Sequence, residues 1–138
     1  MIEKVHDHII NELDTNTRTD LIFVLTGIIL NLIILGANSG IAAAAGRGNN
    51  APTFIMFILV ALLIVINLIA ELGLIKGRQT RTTLLNGLIK MYKDQGVEGY
   101  YDPSLLGAYQ TRYNLFMVAV LVTGLVALII PFVLFTVL

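Results

Sequence analysis

Cysteine is absent from this chain. That excludes disulfides, thiolate metal sites, a Cys nucleophile and covalent c-type haem attachment. Charge is scarce: Asp, Glu, Lys and Arg supply 13 % of the 138 residues, against roughly 25 % in a soluble domain. Basic and acidic side chains cancel to a formal net charge of zero, which argues against nucleic acid as a partner. No Asn-x-Ser/Thr acceptor occurs. Walker A, GxGxxG, HExxH and GxSxG patterns are also missing, and "GLIKGR" lacks the glycine spacing of a phosphate loop. His6 and His8 are the two histidines, and neither lies in an apolar run, so no span offers an axial haem ligand. An enzyme acting on lipid would need paired carboxylates or an activated nucleophile, and none is found. The expectation is therefore a protein that is not an enzyme and carries no cofactor and no metal.

Apolar residues are abundant. They form 57 % of the chain, with a mean hydropathy of +0.84. Three runs, 21–45, 53–75 and 115–138, pass the length of about 20 residues that a spanning helix needs. The expected fold is an all-α integral membrane protein with three transmembrane helices. An N-terminal amphipathic helix precedes them, and a cytoplasmic amphipathic helix lies between spans 2 and 3. In order, the parts are a cytoplasmic amphipathic helix over 1–16, a first span over 20–46 and a second over 51–76. A cytoplasmic basic loop over 77–102 follows, with a helix at about 80–95, and then a helix over 103–138 that continues into the third span. "ANSGIAAAAG" offers small-residue cleavage sites, but its apolar region is long for a signal peptide and the residues before it are net acidic. The first span is expected to be uncleaved.

Lys and Arg set orientation. Residues 1–20 carry Lys4 and Arg18, and residues 76–112 carry Lys76, Arg78, Arg81, Lys90, Lys93 and Arg112. The connection between the first two spans carries only Arg47. The N-terminus is thus expected in the cytoplasm and the C-terminus outside, in a prokaryotic plasma membrane (the cell inner membrane).

The pieces between the spans have their own signals. In "MIEKVHDHIINELD", Ile2, Val5, Ile9 and Leu13 share a stripe with Ile10 beside it. "TNTRTD" is expected to break the chain, with Thr17 and Asp20 as a capping box for the first span. Pro52 suits the first turn of the second span. Leu84, Leu85, Leu88, Ile89 and Tyr92 share a face of the loop helix, and Gly96 suits its C-terminus. Asp102 and Pro103 suit the start of the last helix, whose Leu106, Tyr109, Tyr113 and Phe116 form a stripe. A symmetric hairpin turning near residue 98 would set Lys76 opposite Leu121, a mismatch of membrane edges of about 9 Å. A kink or break around Gly77 would remove it, leaving the 80–95 helix near the inner membrane surface. Residues 1–20 hold two basic and five acidic side chains, whereas 76–112 hold six basic and three acidic. The acidic helix is expected to pack on the basic one, its own or a neighbour's; the alternative is a solvated face.

Within the spans the polar residues are Thr26, Asn31, Asn38, Ser39, Asn67, Glu71, Thr123 and Thr136. Rise per residue puts Asn31, Asn67 and Thr123 about 16, 13 and 16 Å from the inner edge, and Thr26 and Glu71 about 9 and 7 Å. Glu71, Asn67, Asn31, Thr123 and Thr26 are therefore the expected intramembrane polar cluster. A carboxylate facing lipid is costly, so Glu71 should face protein or water. The cluster either holds a bundle together, or sets a ring of Glu71 side chains around a pore, or contacts another subunit. Gly36 and Gly40 have GxxxG spacing, for packing inside the protomer or between protomers. Gly124 and Pro131 mark the third span, and Pro131 should kink it. His8 and Glu12 share a face, a pattern expected of a solvated helix more than of a metal site. Tyr92, Tyr100, Tyr101, Tyr109 and Tyr113 suit anchoring at the interface better than chemistry.

Two functions remain. One is a non-catalytic small membrane protein that acts by oligomeric assembly, as a structural or accessory subunit. The other is a homo-oligomeric ion or small-solute channel with a Glu71/Asn67 polar ring. Membrane lipid is one expected partner; further copies of the chain, or a larger membrane complex, are the other.

Overall fold

Apolar runs rich in Leu, Ile and Ala satisfy their backbone groups internally as helices, the form that hydrocarbon demands of a single segment. A computed structural model describes residues 2–45, 50–97 and 104–137. They form three helices: α1 (Ile2–Ala45), α2 (Asn50–Asp94) and α3 (Ser104–Val137). Each is long and apolar enough to cross a membrane, and the three fit an integral membrane protein. α1 and α2 are each about 66 Å long at 1.5 Å per residue, more than twice a bilayer's hydrocarbon core. Their charged ends therefore continue well past any apolar layer.

Neither expected break is present. α1 runs unbroken through "TNTRTD", because its polar side chains bond within the helix or across it. Thr17 Oγ1 donates to Leu13 O and Thr19 Oγ1 to Thr15 O, each at 3.0 Å. Arg18 pairs with Asp14 at 3.0 Å, one turn back. Asn16 donates to Gly77 O on α2 at 3.2 Å. Thr17 is thus a mid-helix residue and not a cap.

α2 likewise passes Gly77 without a break, so the helix at 80–95 is the end of the second span's own helix. Two facts remove the need for a kink. The first is register: Gly124 backs onto the Asn67 side chain, and Arg78 donates to Asn114 at 2.8 Å. Lys76 is thereby level with the start of the third apolar run and not with Leu121. The last two turns or so of α2 overhang the start of α3, and the connection is asymmetric. The second fact is what Gly77 does. A Cβ there would collide with the Asp20 carboxylate. The glycine admits close approach of α1, which offsets its helix penalty of roughly 0.5–1 kcal/mol.

At the far end of α2, Gly96 adopts φ +74°. Val97 N–H donates to Tyr92 O at 2.9 Å and Gly96 N–H to Lys93 O at 3.1 Å, the paired bonds of a Schellman motif. Pro52 sits in the first turn of α2, where its missing N–H is harmless. α3 continues through a fully buried Pro131. Asp102, Pro103, Tyr100 and Tyr101 lie outside the described residues, as does the side chain of Leu106.

α1 and α3 run parallel, with α2 antiparallel to both. Val24, Ala70, Leu74, Tyr113 and Val120 form the middle of the core. Ile34, Leu63 and Ala127 continue it through the apolar end. At the charged end Leu13 packs on Leu85 and Leu88, with Ile9 and Tyr92 beside them. The acidic start of α1 thus lies on the basic end of α2 in the same chain, through apolar contact. Among the described residues the ion pairs, His6–Asp7 and Asp14–Arg18, stay within α1. Ile2, Val5 and Ile10 remain exposed. Along the spans, large side chains such as Ile22, Phe54, Leu72 and Leu115 face outward, as lipid-facing positions do.

Candidate functional site

Three helices with one polar group each at a common depth can close a hydrogen-bonded layer. Asn31 on α1 is fully buried. It donates from Nδ2 to Asn67 Oδ1 at 3.1 Å, to Thr123 Oγ1 at 2.9 Å and to Val120 O at 3.2 Å. Asn67 Nδ2 answers by donating to Asn31 Oδ1 at 2.8 Å, and also to Leu63 O at 2.8 Å. Thr123 Oγ1 can accept from Asn31 because its own proton goes to Ala119 O or Val120 O, each at 3.0 Å. Every side-chain polar atom in this layer has a partner. Gly124 makes room for it, since a Cβ there would strike the Asn67 amide.

Glu71 is not part of that layer, although it stands one turn from Asn67 on α2. It lies half-buried on the outer side of the α2–α3 contact. Its Oε1 is closed off from solvent and has no hydrogen-bond partner. With Asn67 and Leu68 it lines an apolar groove of about 180 Å³ whose other wall is Leu121, Gly124 and Leu125. Thr26 is exposed on α1 and lines a separate groove with Ile22 and Ile69. Of the five expected cluster residues the structure therefore joins Asn31, Asn67 and Thr123, and sets Glu71 and Thr26 on different faces.

Gly36 and Gly40 do not pack inside the protomer. A Cβ added at either meets nothing within 4 Å. The glycines at close contacts are others. A Cβ at Gly73 would come within 2.7 Å of the Phe23 ring, and one at Gly27 within 3.4 Å of Val120. Gly73 and Gly77 have the same four-residue spacing as Gly36 and Gly40, so the signal was present on α2 as well.

A second polar cluster escapes a search confined to the apolar runs, because it lies just beyond their edge. Asp20 and Asn16 are buried on α1. The Tyr113 hydroxyl on α3 donates to Asp20 Oδ2 and lies 3.0 Å from Asn16 Oδ1. Arg81 on α2 donates to Asn16 Oδ1 at 3.2 Å and to Thr17 Oγ1 at 2.7 Å. Its guanidinium sits 4.3 Å above the Tyr109 ring and attracts the Asp20 carboxylate. These groups tie the three helices together where the spans begin. Asn38, fully buried nearer the apolar end, donates to Met56 O at 3.4 Å, and its Oδ1 has no partner.

His6 Nε2 lies 3.1 Å from the Tyr92 hydroxyl. Among the described residues no three His, Asp or Glu side chains converge as metal ligands would. Comparison with known protein families, curated proteins and solved structures finds no match for this chain, so its own residues carry the functional reading.

Proposed function

We propose that this chain is a non-catalytic membrane subunit that works by assembling, with further copies of itself or with a larger membrane complex. One observation carries the reading. Glu71 is the single charged residue in the apolar runs; it is half-buried in the outward-facing α2–α3 groove, and its enclosed Oε1 has no hydrogen-bond partner. The nearby carboxamides are already satisfied by one another. A carboxyl left against lipid is expensive. A neighbouring helix that seats in the α2–α3 groove and offers a donor removes that penalty. The open Gly36/Gly40 face of α1 gives a second surface where a helix backbone can approach closely.

The excess of Lys and Arg at the charged end supports placing that end, with the N-terminus, in the cytoplasm and the C-terminus outside. The plasma membrane of a prokaryote is the proposed location. The channel reading rests on Glu71 alone. The Asn67 amide bonds within the protomer, so a polar ring built from both residues would have to break the buried layer.

Native mass spectrometry of the complex, gently extracted and held in nanodiscs, tests assembly. The wild type is expected at a multiple of 15.1 kDa, or at that mass plus another subunit. Glu71→Leu is expected to shift it toward the single chain. A wild type present only as the isolated chain contradicts the reading. If a closed homo-oligomer forms, ion flux through wild-type and Glu71→Gln liposomes separates channel from scaffold: only a channel changes its flux.

A further inference from the structure

Where α1 and α3 meet at the edge of the spans, a third groove of about 130 Å³ opens at the Asp20 cluster. Its polar end is formed by Thr17, Arg81, Tyr109, Arg112 and Tyr113, with the Asp20 carboxyl also in its wall. Its apolar end is formed by Leu21 and Phe116, each one helical turn further into the apolar run than Thr17 and Arg112. Two guanidinium groups approach one ring here: Arg81 at 4.3 Å and Arg112 at 5.5 Å from the Tyr109 centre. Two cations sharing one groove repel each other, and Asp20 offsets one of them.

The charges around the groove leave room for a further anion. Asp20 in the groove wall accepts from the Tyr113 hydroxyl and leaves its Oδ1 without a partner, and its charge offsets that of one arginine. Arg81 still has an enclosed Nε without an acceptor. Arg112 is exposed, and beyond its contact with the Tyr109 ring it has no hydrogen bond or ion pair among the described residues. Among the described residues that line it, the groove thus holds one positive charge in excess. Guanidinium groups match phosphate oxygens in geometry as well as charge.

We propose that this groove binds the phosphate of an anionic phospholipid, between Arg112 and Arg81, with the lipid's acyl chains running down over Leu21 and Phe116. A free phosphate would use the same arginines. The lipid is favoured because the groove changes from cationic to apolar along the direction in which a lipid changes from head to tail. It also lies at the span edge, where headgroups lie and where tyrosines are at home. The inference needs the membrane-spanning fold but not the assembly through Glu71.

The test is retention of lipid by the purified protein in nanodiscs of phosphatidylcholine doped with phosphatidylglycerol, read by native mass spectrometry. Wild type is expected to keep phosphatidylglycerol in preference to phosphatidylcholine. Arg112→Gln is expected to weaken that preference about fivefold, the effect of one cation near the headgroups, and Arg112→Lys to restore most of it. Arg18→Gln, a lost cation at a similar level whose partner is Asp14, is expected to leave the preference unchanged. Three results would overturn the proposal. They are equal retention of both lipids by wild type, a loss of preference in Arg18→Gln as large as in Arg112→Gln, and binding of soluble glycerol phosphate, added to pure phosphatidylcholine nanodiscs, as tight as that of the lipid. The first needs no variant, so a misfolded substitution cannot rescue the idea.

Discussion

Asn31 and Asn67 face each other as two carboxamides, each donating to the other's oxygen. In hydrocarbon such contacts contribute roughly 0.6–2 kcal/mol each, and breaking one side costs more than removing both. Asn67→Leu should therefore destabilise the bundle by about 1–3 kcal/mol, by leaving the Asn31 oxygen without a donor. The double variant Asn31→Leu, Asn67→Leu should lose less than the two single losses together. Reversible unfolding in mixed micelles measures this cycle, and strict additivity would show that the two amides do not act as a pair. Depth counting along the sequence places these two residues and Thr123 in one layer, because rise per residue is constant. It cannot place Glu71, because depth says nothing about azimuth. Glu71 shares a rough helix face with Asn67, yet Asn67 turns inward onto Asn31 while Glu71 opens to the groove beside α3.

At the scale of the helix, Gly77 and the "TNTRTD" stretch look like punctuation, and in the structure both are contact points. Glycine carries the same local signal whether it ends a helix or lets another one approach; the facing Asp20 decides which. Polar residues at 14–20 look like a linker because their partners, Gly77 and Arg81, lie more than 60 residues away on α2. Gly96 differs in this respect: its role as the terminus of α2 is local, and it was legible for that reason. Gly77→Ala is expected to destabilise the fold, because the Asp20 carboxylate must move from a buried place. Gly36→Ala and Gly40→Ala, with open space around them, are expected to stabilise the protomer by up to about 1 kcal/mol through helix propensity. The same unfolding assay checks all three, and equal losses at the three sites would refute the distinction.

For the whole molecule, the asymmetric register of α2 against α3 is the organising fact. It lets all three helices enter the apolar layer at one level without a kink. It also leaves the charged ends of α1 and α2 as a projecting pair of helices, held together by Leu13, Leu85 and Leu88. The length of those helices follows from the sequence once continuity is known, but the register depends on which side chains mesh, as Asn67 does with Gly124. The three helices bury Asn31, Asn38, Asn16 and Asp20 but leave Glu71 only half-buried. Among the described residues no further helix covers Glu71, and the proposed assembly would supply one.

The most direct test of that claim is a photo-reactive phenylalanine placed at Leu68 or at Ile69 in native membranes. Both positions are similarly exposed, 58 % and 57 %, and they differ in depth by one residue. Leu68 borders the Glu71 groove, and Ile69 the groove on the other side of α2. Covalent adducts of one defined mass from Leu68, and few from Ile69, are the predicted result. No adduct at Leu68, or equal adducts at both positions, would contradict an assembly built on the face of Glu71.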